Sequence, residues 1–544
     1  MDIFDYIIIG AGSSGCVLAR RLSDNPRLRV LLLEAGGPAD DFWVRTPAGI
    51  GKLFLDDRVN WSYFTEPVPT MADRRIYWPR GKLLGGTSSI NGMVYLRGHP
   101  KDFDHWGSLG NPGWDWDGVL PYFKRMEHNE RGADAWRGAG GPLWISDPVL
   151  RHPTSAAFLE AARRVGIPYS DDLNGELHDA VGFLQHNIRD GRRHSAWNAF
   201  VEPVLDRPNL QVRSGAHVLR VLFEGDEATG VELLQGGHRH TVTAAREVIV
   251  SAGAINSPQI LMLSGVGDGA ALQRQGIATV ADRPGVGQNL QDHFYIHCQS
   301  ASRPEASINR ELSGVRKYWH GARYLARRDG YLAISVNQVA AFTKSRPEEE
   351  YGDLQISFRP MTFNYRPSGK VDVDLHPAVS ASVYCVRPKS KGYVGLRSSD
   401  PLDAPLLVPN YITHPDDVRS TIAGIRQIRQ ILAAEPMASL LKEELAPGAA
   451  IQTDDQLLGF LQSNGTSCYH PVGSCTMGRD AAAVVDARLQ VHGVRRLRVI
   501  DASIMPRLTS GNTNAASIMI GEKGADLVIQ DAYPVRTETA RVAA

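Results

Sequence analysis

Apolar residues run together at the start of the chain: Tyr6-Ile7-Ile8-Ile9 has no polar alternation, which suits a parallel strand buried on both faces. The run stops at Gly10-Ala11-Gly12-Ser13-Ser14-Gly15, and a helical stretch leads to a second apolar run from Arg29 to Leu33. Glycine at positions 10, 12 and 15 lets the backbone turn and approach a pyrophosphate at the N-terminus of the following helix. Glu34 closes the unit 34 − 15 = 19 positions after the last glycine, where a carboxylate can accept hydrogen bonds from ribose hydroxyls. Strand, glycines, helix, strand and acid in this register predict a dinucleotide site, whereas the glycines alone would be weak evidence.

Further along, the pattern changes several times. Between Phe42 and Pro121 the sequence is rich in Trp, Pro, Gly and Asp with little periodicity, which predicts long ordered loops. From Leu210 to Gly253 valines alternate with polar residues between glycine turns, predicting several antiparallel strands. After Val248-Ile249-Val250, Ser257 as N-cap and Pro258 at the first helical position predict a helix running to Ser264-Gly265. Residues 353–361 and 379–396 read as strands, 416–432 as an amphipathic helix, and 515–530 as a final helix before a polar tail. No internal repeat or low-complexity segment is present.

At 544 residues the chain is too long for one compact core, so two or three domains are expected. The 59 Lys+Arg balance 59 Asp+Glu with no conspicuous block of like charge, which argues against a nucleic-acid footprint or attraction to an anionic membrane surface and favours small neutral substrates. Five scattered cysteines form neither a disulfide framework nor a zinc pattern, which favours a reducing cytoplasm. Neither a signal-like leader nor an apolar run of about 18 residues is found, so no membrane span is expected, and loose membrane association stays open. His293 and His297 have the spacing of a helical metal pair, but the neighbouring Pro284, Gly285 and Gly287 argue against a helix and no metal is expected.

A second glycine-rich stretch, Arg80-Gly81-Lys82-Leu83-Leu84-Gly85-Gly86-Thr87-Ser88-Ser89-Ile90-Asn91-Gly92, offers backbone N–H groups suited to a pyrophosphate or the polar edge of a flavin. Together with Ser264-Gly265-Val266-Gly267, Cys468-Tyr469-His470-Pro471-Val472-Gly473 and Ser510-Gly511-Asn512-Thr513-Asn514, it makes the chain resemble the glucose-methanol-choline family of FAD-dependent alcohol oxidoreductases. Residues 284–293 and 499–506 also look like family segments, so the resemblance spans nearly the whole chain, nearest the choline-dehydrogenase-like branch. It implies a mixed α/β (α+β) fold: a discontinuous Rossmann-like FAD-binding domain of residues 1–155, 191–297 and 464–544, and a substrate domain of 156–190 and 298–463 built on an antiparallel sheet with helices. It also implies that FAD meets Gly10, Gly12, Ser13, Ser14, Gly15, Glu34, Ala35, Gly86, Ile90, Asn91, Gly92, Met93, Val218, Asp501, Ala502, Asn512, Thr513 and Asn514. Ile90 stands where some family members carry a histidine bonded covalently to the flavin, and isoleucine has no nucleophile, so FAD is expected to be non-covalent.

A lone histidine is more often structural than catalytic, but the histidine of this HPVG-like motif serves the resembling family as the base. A neutral imidazole at His470 can take a hydroxyl proton, with a pKa expected near the ordinary 6.5, and the Asn512 amide can hydrogen-bond the substrate oxygen. For Asp501 and Asn514, a capped turn before the last helix is the competing structural reading. Cys468, Tyr469 and Trp61 are candidates for the pocket wall. The resulting expectation is FAD-dependent oxidation of an alcohol, most simply a primary one, to the aldehyde, with oxygen or another electron acceptor as partner. An NAD(P)-linked reductase and a flavin-binding lyase of the same fold are the alternatives.

Overall fold

The computed structural model describes residues 2–365 and 371–533; the polar tail beyond residue 533, and with it the end of the expected FAD-binding domain, lies outside the described residues. Two seven-stranded sheets organise the molecule. In the first, Ile3–Ile9 sits between Val30–Leu33 and His238–Val250, all parallel, with Ile9 level with both Leu33 and Val250. Leu210–Arg213 extends one edge in parallel and Leu497–Val499 pairs with the end of His238–Val250. The apolar runs are continuous because they are buried: none of Val30–Leu33 is exposed, the helix Ser13–Ser23 packs on them, and Asn514–Ala532 packs on that helix.

The alternating stretch after Leu210 forms strands as expected, but only part of it is antiparallel. Ala216–Glu224, Glu227–Gln235 and the first half of His238–Val250 make a meander; the second half of His238–Val250 joins the parallel layer. A single long strand therefore belongs to both patterns.

The second sheet is antiparallel throughout, in the order Leu441–Ala446, Phe294–Ser302, Ala378–Cys385, Leu354–Arg359, Val339–Thr343, Val181–Phe183, with Thr466–Ser467 added beside Phe294. Phe294–Ser302 starts within the segment expected to end the FAD-binding domain, so one continuous strand crosses that boundary. The helix Pro415–Ala433 packs on one face of this sheet against Ile356, Ala381 and Val383. Gly424 allows the approach, since a Cβ there would lie 2.5 Å from Val383 Cγ2.

Two local expectations need correction. Helices Pro100–Ser108 and Trp116–Met126 interrupt the stretch read as loops, started by side-chain caps from His99 and Asp115 and anchored by buried Phe103, Trp106 and Phe123. The caps are present in the sequence; the dense aromatics and prolines obscured the helical period. The helix after Val250 begins at Gly253, not Pro258. Pro258 lies inside it and has no N–H for the Ala254 carbonyl, which accepts the Ser474 hydroxyl at 2.5 Å instead. A partner distant in sequence thus moves the helix start by five residues.

Candidate active site

A cavity of about 340 Å³ opens between the two sheets, while two other described cavities hold about 10 Å³ each. Gly10, Gly12, Ser13, Ser14, Glu34, Ala35, Gly86, Ile90, Asn91, Gly92, Met93, Val218, Asp501, Ala502, Asn512, Thr513, Asn514 and His470 all line it, as do Trp61, Cys468 and Tyr469. Gly15 does not: it lies in the first turn of the helix, where a Cβ would meet the Gly10 carbonyl oxygen at 1.9 Å, so its part is close helix–strand packing.

The first-sheet side is shaped for a dinucleotide. The helices Ser13–Ser23 and Asn514–Ala532 both begin at the cavity, and neither has a side-chain cap, so their first N–H groups remain available to an anion. Ser13 Oγ donates to Asn514 Oδ1 at 2.8 Å and Ser14 Oγ to the Ser517 carbonyl at 2.7 Å, tying the two helix starts together. A Cβ on Gly12 would have one neighbour, 3.9 Å away, and on Gly92 likewise one, so both open onto space a cofactor can fill. Gly86, at φ +52°, would press a Cβ to 2.8 Å from Gly12 Cα, which keeps the two glycine loops in contact.

Glu34 does more than await a ribose. Its Oε2 accepts the Ala11 N–H at 3.0 Å and its Oε1 the Gly36 N–H at 2.9 Å, so it fixes the glycine loop to the strand end. Burial pushes its pKa up to about 7 against these two bonds, and each oxygen keeps a second lone pair for a hydroxyl. Asp501 has the capping role of the competing reading: it accepts Gly253 N–H at 2.8 Å, Ser257 Oγ at 2.5 Å and Ser503 N–H at 2.8 Å while lining the cavity.

At the far end His470 and Asn512 meet, with His470 Nε2 3.0 Å from Asn512 Nδ2. Behind the imidazole stands His293, Nδ1 to Nδ1 at 2.9 Å, and His293 Nε2 is 3.0 Å from the Val386 carbonyl. A carbonyl only accepts, so His293 carries its proton on Nε2 and presents a lone pair at Nδ1. His470 must then donate from Nδ1, which leaves its Nε2 lone pair facing the cavity and the Asn512 amide. Burial, with the nearby His293 and Arg80 as smaller causes, holds the His470 pKa well below 6.5, so the ring is neutral at neutral pH, and the sequence expectation of an ordinary imidazole pKa is corrected. Asp292 fixes the backbone here: its Oδ1 accepts the His470 N–H at 2.7 Å and its Oδ2 accepts from Tyr411 and Ser467.

No local motif marks Asp292 or His293 for this role, although they end the family-like segment of residues 284–293. No motif marks buried Arg193 either; it donates to the Asn91 carbonyl at 2.6 Å and to Asn91 Oδ1 at 3.0 Å, and desolvation lowers its pKa to about 9. Opposite the glycine loops, the second sheet presents Tyr295, Gln355, Ser357, Arg359, Ser382 and Tyr384 to the cavity. These alternate along their strands with Ile296, Ile356, Phe358, Ala381 and Val383, which face the other core.

A parallel nucleotide-binding layer, an antiparallel second sheet and a neutral histidine–asparagine pair where they meet define a two-electron oxidoreductase of the dinucleotide-binding class. Sequence models described as GMC oxidoreductase match residues 4–295 and 388–521, and the chain belongs to that family. Mouse mitochondrial choline dehydrogenase is 42% identical over 541 residues, covering 97% of this chain and 89% of that protein. An alcohol dehydrogenase [acceptor] of Pseudomonas putida is 42% identical over 532 residues, covering 97% and 96%. Among solved structures, pyridoxine 4-oxidase from "Mesorbium loti" superimposes with a TM-score of 0.87 at 30% identity, covering 96% of this chain and 98% of that one.

Proposed function

We propose that this protein oxidises the CH–OH group of an alcohol, a primary alcohol in the simplest case, to the carbonyl compound with non-covalently held FAD. The observation that carries this reading is the cavity-facing lone pair on His470 Nε2, set 3.0 Å from the Asn512 amide at the end of a dinucleotide-shaped cleft. Family membership and the alcohol-oxidising relatives support it. FAD, when bound, supplies the acceptor for the hydride leaving the alcohol carbon.

The cleft would hold the cofactor through the uncapped helix starts at Ser13 and Asn514, the open glycines 12 and 92, and the Glu34 carboxylate. Ile90, buried at the cavity wall, offers no nucleophile for a covalent link. With substrate bound, His470 Nε2 takes the hydroxyl proton in place of the Asn512 hydrogen bond, and an Asn512 N–H turns to the substrate oxygen as negative charge develops there. His293 and the Val386 carbonyl keep that lone pair in place. Substrate would sit against the polar face of the antiparallel sheet, to which residues 294–297 and 466–467 also contribute; otherwise the described parts of residues 1–155, 191–297 and 464–544 serve the cofactor and those of 156–190 and 298–463 the substrate.

An anaerobic panel of alkyl, aryl, polyol, polyether and choline alcohols, followed at the flavin absorbance and then exposed to air, tests the reading. At least one alcohol should bleach the flavin. His470→Ala should slow that step by at least about 10²-fold and Asn512→Ala by about 10²–10³-fold, with FAD content near normal. Wild-type rates in both flavinated variants would defeat the assigned roles.

A further inference from the structure

The helix Arg316–Arg327 carries its apolar side outward. Val315, Tyr318, Trp319, Ala322, Leu325 and Ala326 follow the spacing of one helical face, and all six are exposed, the four large ones at 84%, 70%, 67% and 61%. The inward side is polar: His320 Nε2 bonds Glu311 Oε2 at 2.9 Å, and the buried Tyr324 hydroxyl donates to the Gly191 carbonyl at 3.0 Å. An ordinary surface helix has the opposite arrangement.

The balanced charge of the whole chain conceals a local excess here. Residues 310–330 hold six basic side chains (Arg310, Arg316, Lys317, Arg323, Arg327, Arg328) against Glu311 and Asp329, so the net charge is 6 − 2 = +4. Glu311 pairs with Arg316 and Asp329 with Arg323, while Lys317, Arg327 and Arg328 have no ion pair among the described residues. Positive charge flanks the apolar face, and Tyr and Trp are the residues whose amphipathic rings settle at the headgroup level of a bilayer.

We propose that this helix docks the protein on an anionic lipid surface, lying in the plane of the interface with Tyr318, Trp319 and Leu325 inserted and the flanking basic residues on the headgroups. No helix among the described residues is long and apolar enough to cross a membrane, so the attachment is peripheral. From the helix the chain reaches the cavity wall at Val336 and Asn337 within nine residues, with Ser335 Oγ donating to the Gly92 carbonyl at 2.8 Å on the way. The docked face is thereby tied to the site through a short, hydrogen-bonded segment.

Flotation of the full-length, FAD-loaded protein with vesicles tests this. The chain should float with phosphatidylcholine vesicles containing about one-third phosphatidylglycerol, float far less with pure phosphatidylcholine, and be released by added salt. Trp319→Ser combined with Leu325→Ser should lower the partition coefficient by about ten-fold or more with FAD content unchanged, since neither residue lines the cavity. Failure of the wild type to float, equal binding to both vesicle types, or wild-type flotation of the double variant would overturn the proposal. So would a wild-type dimer that the double variant converts to monomers while neither binds vesicles, because the face would then join two copies of this chain.

Discussion

Replacing His293 with phenylalanine tests the orientation of the base without touching the substrate side. The ring shape is kept, and with it the packing on Tyr384, whose centroid lies 4.5 Å away, but the lone pair that receives the His470 Nδ1 proton is removed. The His470 N–H would then be buried without a partner, at a cost of about 1–3 kcal/mol. The ring avoids that cost by moving its proton to Nε2 or turning away, and either removes the cavity-facing lone pair. At 1.36 kcal/mol per factor of ten, the competent arrangement becomes about 5- to 150-fold rarer. Anaerobic stopped-flow reduction at saturating alcohol and neutral pH should slow by that factor, with FAD content normal and apparent alcohol affinity little changed. His293→Asn places an acceptor oxygen near the lost Nδ1 and should recover most of the rate. A phenylalanine variant that folds, holds FAD and reduces it at the wild-type rate would refute the reasoning, as would equal damage from phenylalanine and asparagine.

Acid precipitation should release intact FAD into the supernatant, because Ile90 cannot form a link; flavin in the pellet would contradict this. Glu34→Ala removes the acceptor for both Ala11 and Gly36 N–H and should weaken FAD retention and lower the melting temperature; unchanged occupancy would count against Glu34 as a cofactor contact. With the His470 pKa held well below 6.5, the reduction rate should be flat from neutral pH upward and fall only on the acid side, so an inflection above 6.5 assigned to this residue would argue against a buried neutral base. Burial also lowers His152, His178, His186 and His194 to about 4, so in the folded state they bind fewer protons than in the unfolded chain between 6.5 and 4. Each costs up to about 1.4 kcal/mol per pH unit there. Asp292 and Glu34, raised to about 6 and 7, act in the opposite sense and offset part of it. The four histidines outweigh the two carboxylates below 6.5, so stability by thermal denaturation should be highest near 6.5 to 7 and drop as pH falls toward 4.5, with net proton uptake on unfolding; a constant melting temperature from pH 7 to 5 would refute the balance.

The sequence by itself determined the parts whose chemistry is local. A parallel strand buried on both faces must read as a continuous apolar run, and a tight phosphate loop must have glycine where a Cβ would strike the Ser251 carbonyl or the Gly10 carbonyl, so the nucleotide layer was legible from residues 6–34. His470 and Asn512 were legible for a similar reason, each within a short motif. Tertiary structure decided the rest, because the relevant neighbours are far apart along the chain. His293 reaches His470 across 177 positions, and no local spacing shows that a carbonyl at Val386 selects the tautomer. The helix start at Gly253 depends on Asp501 and Ser474, and the polar wall of the cavity exists only once three separate strands align every second residue on one face. The outward apolar face of Arg316–Arg327 was hidden likewise: periodicity shows that a helix has two faces, and only packing fixes which one meets water.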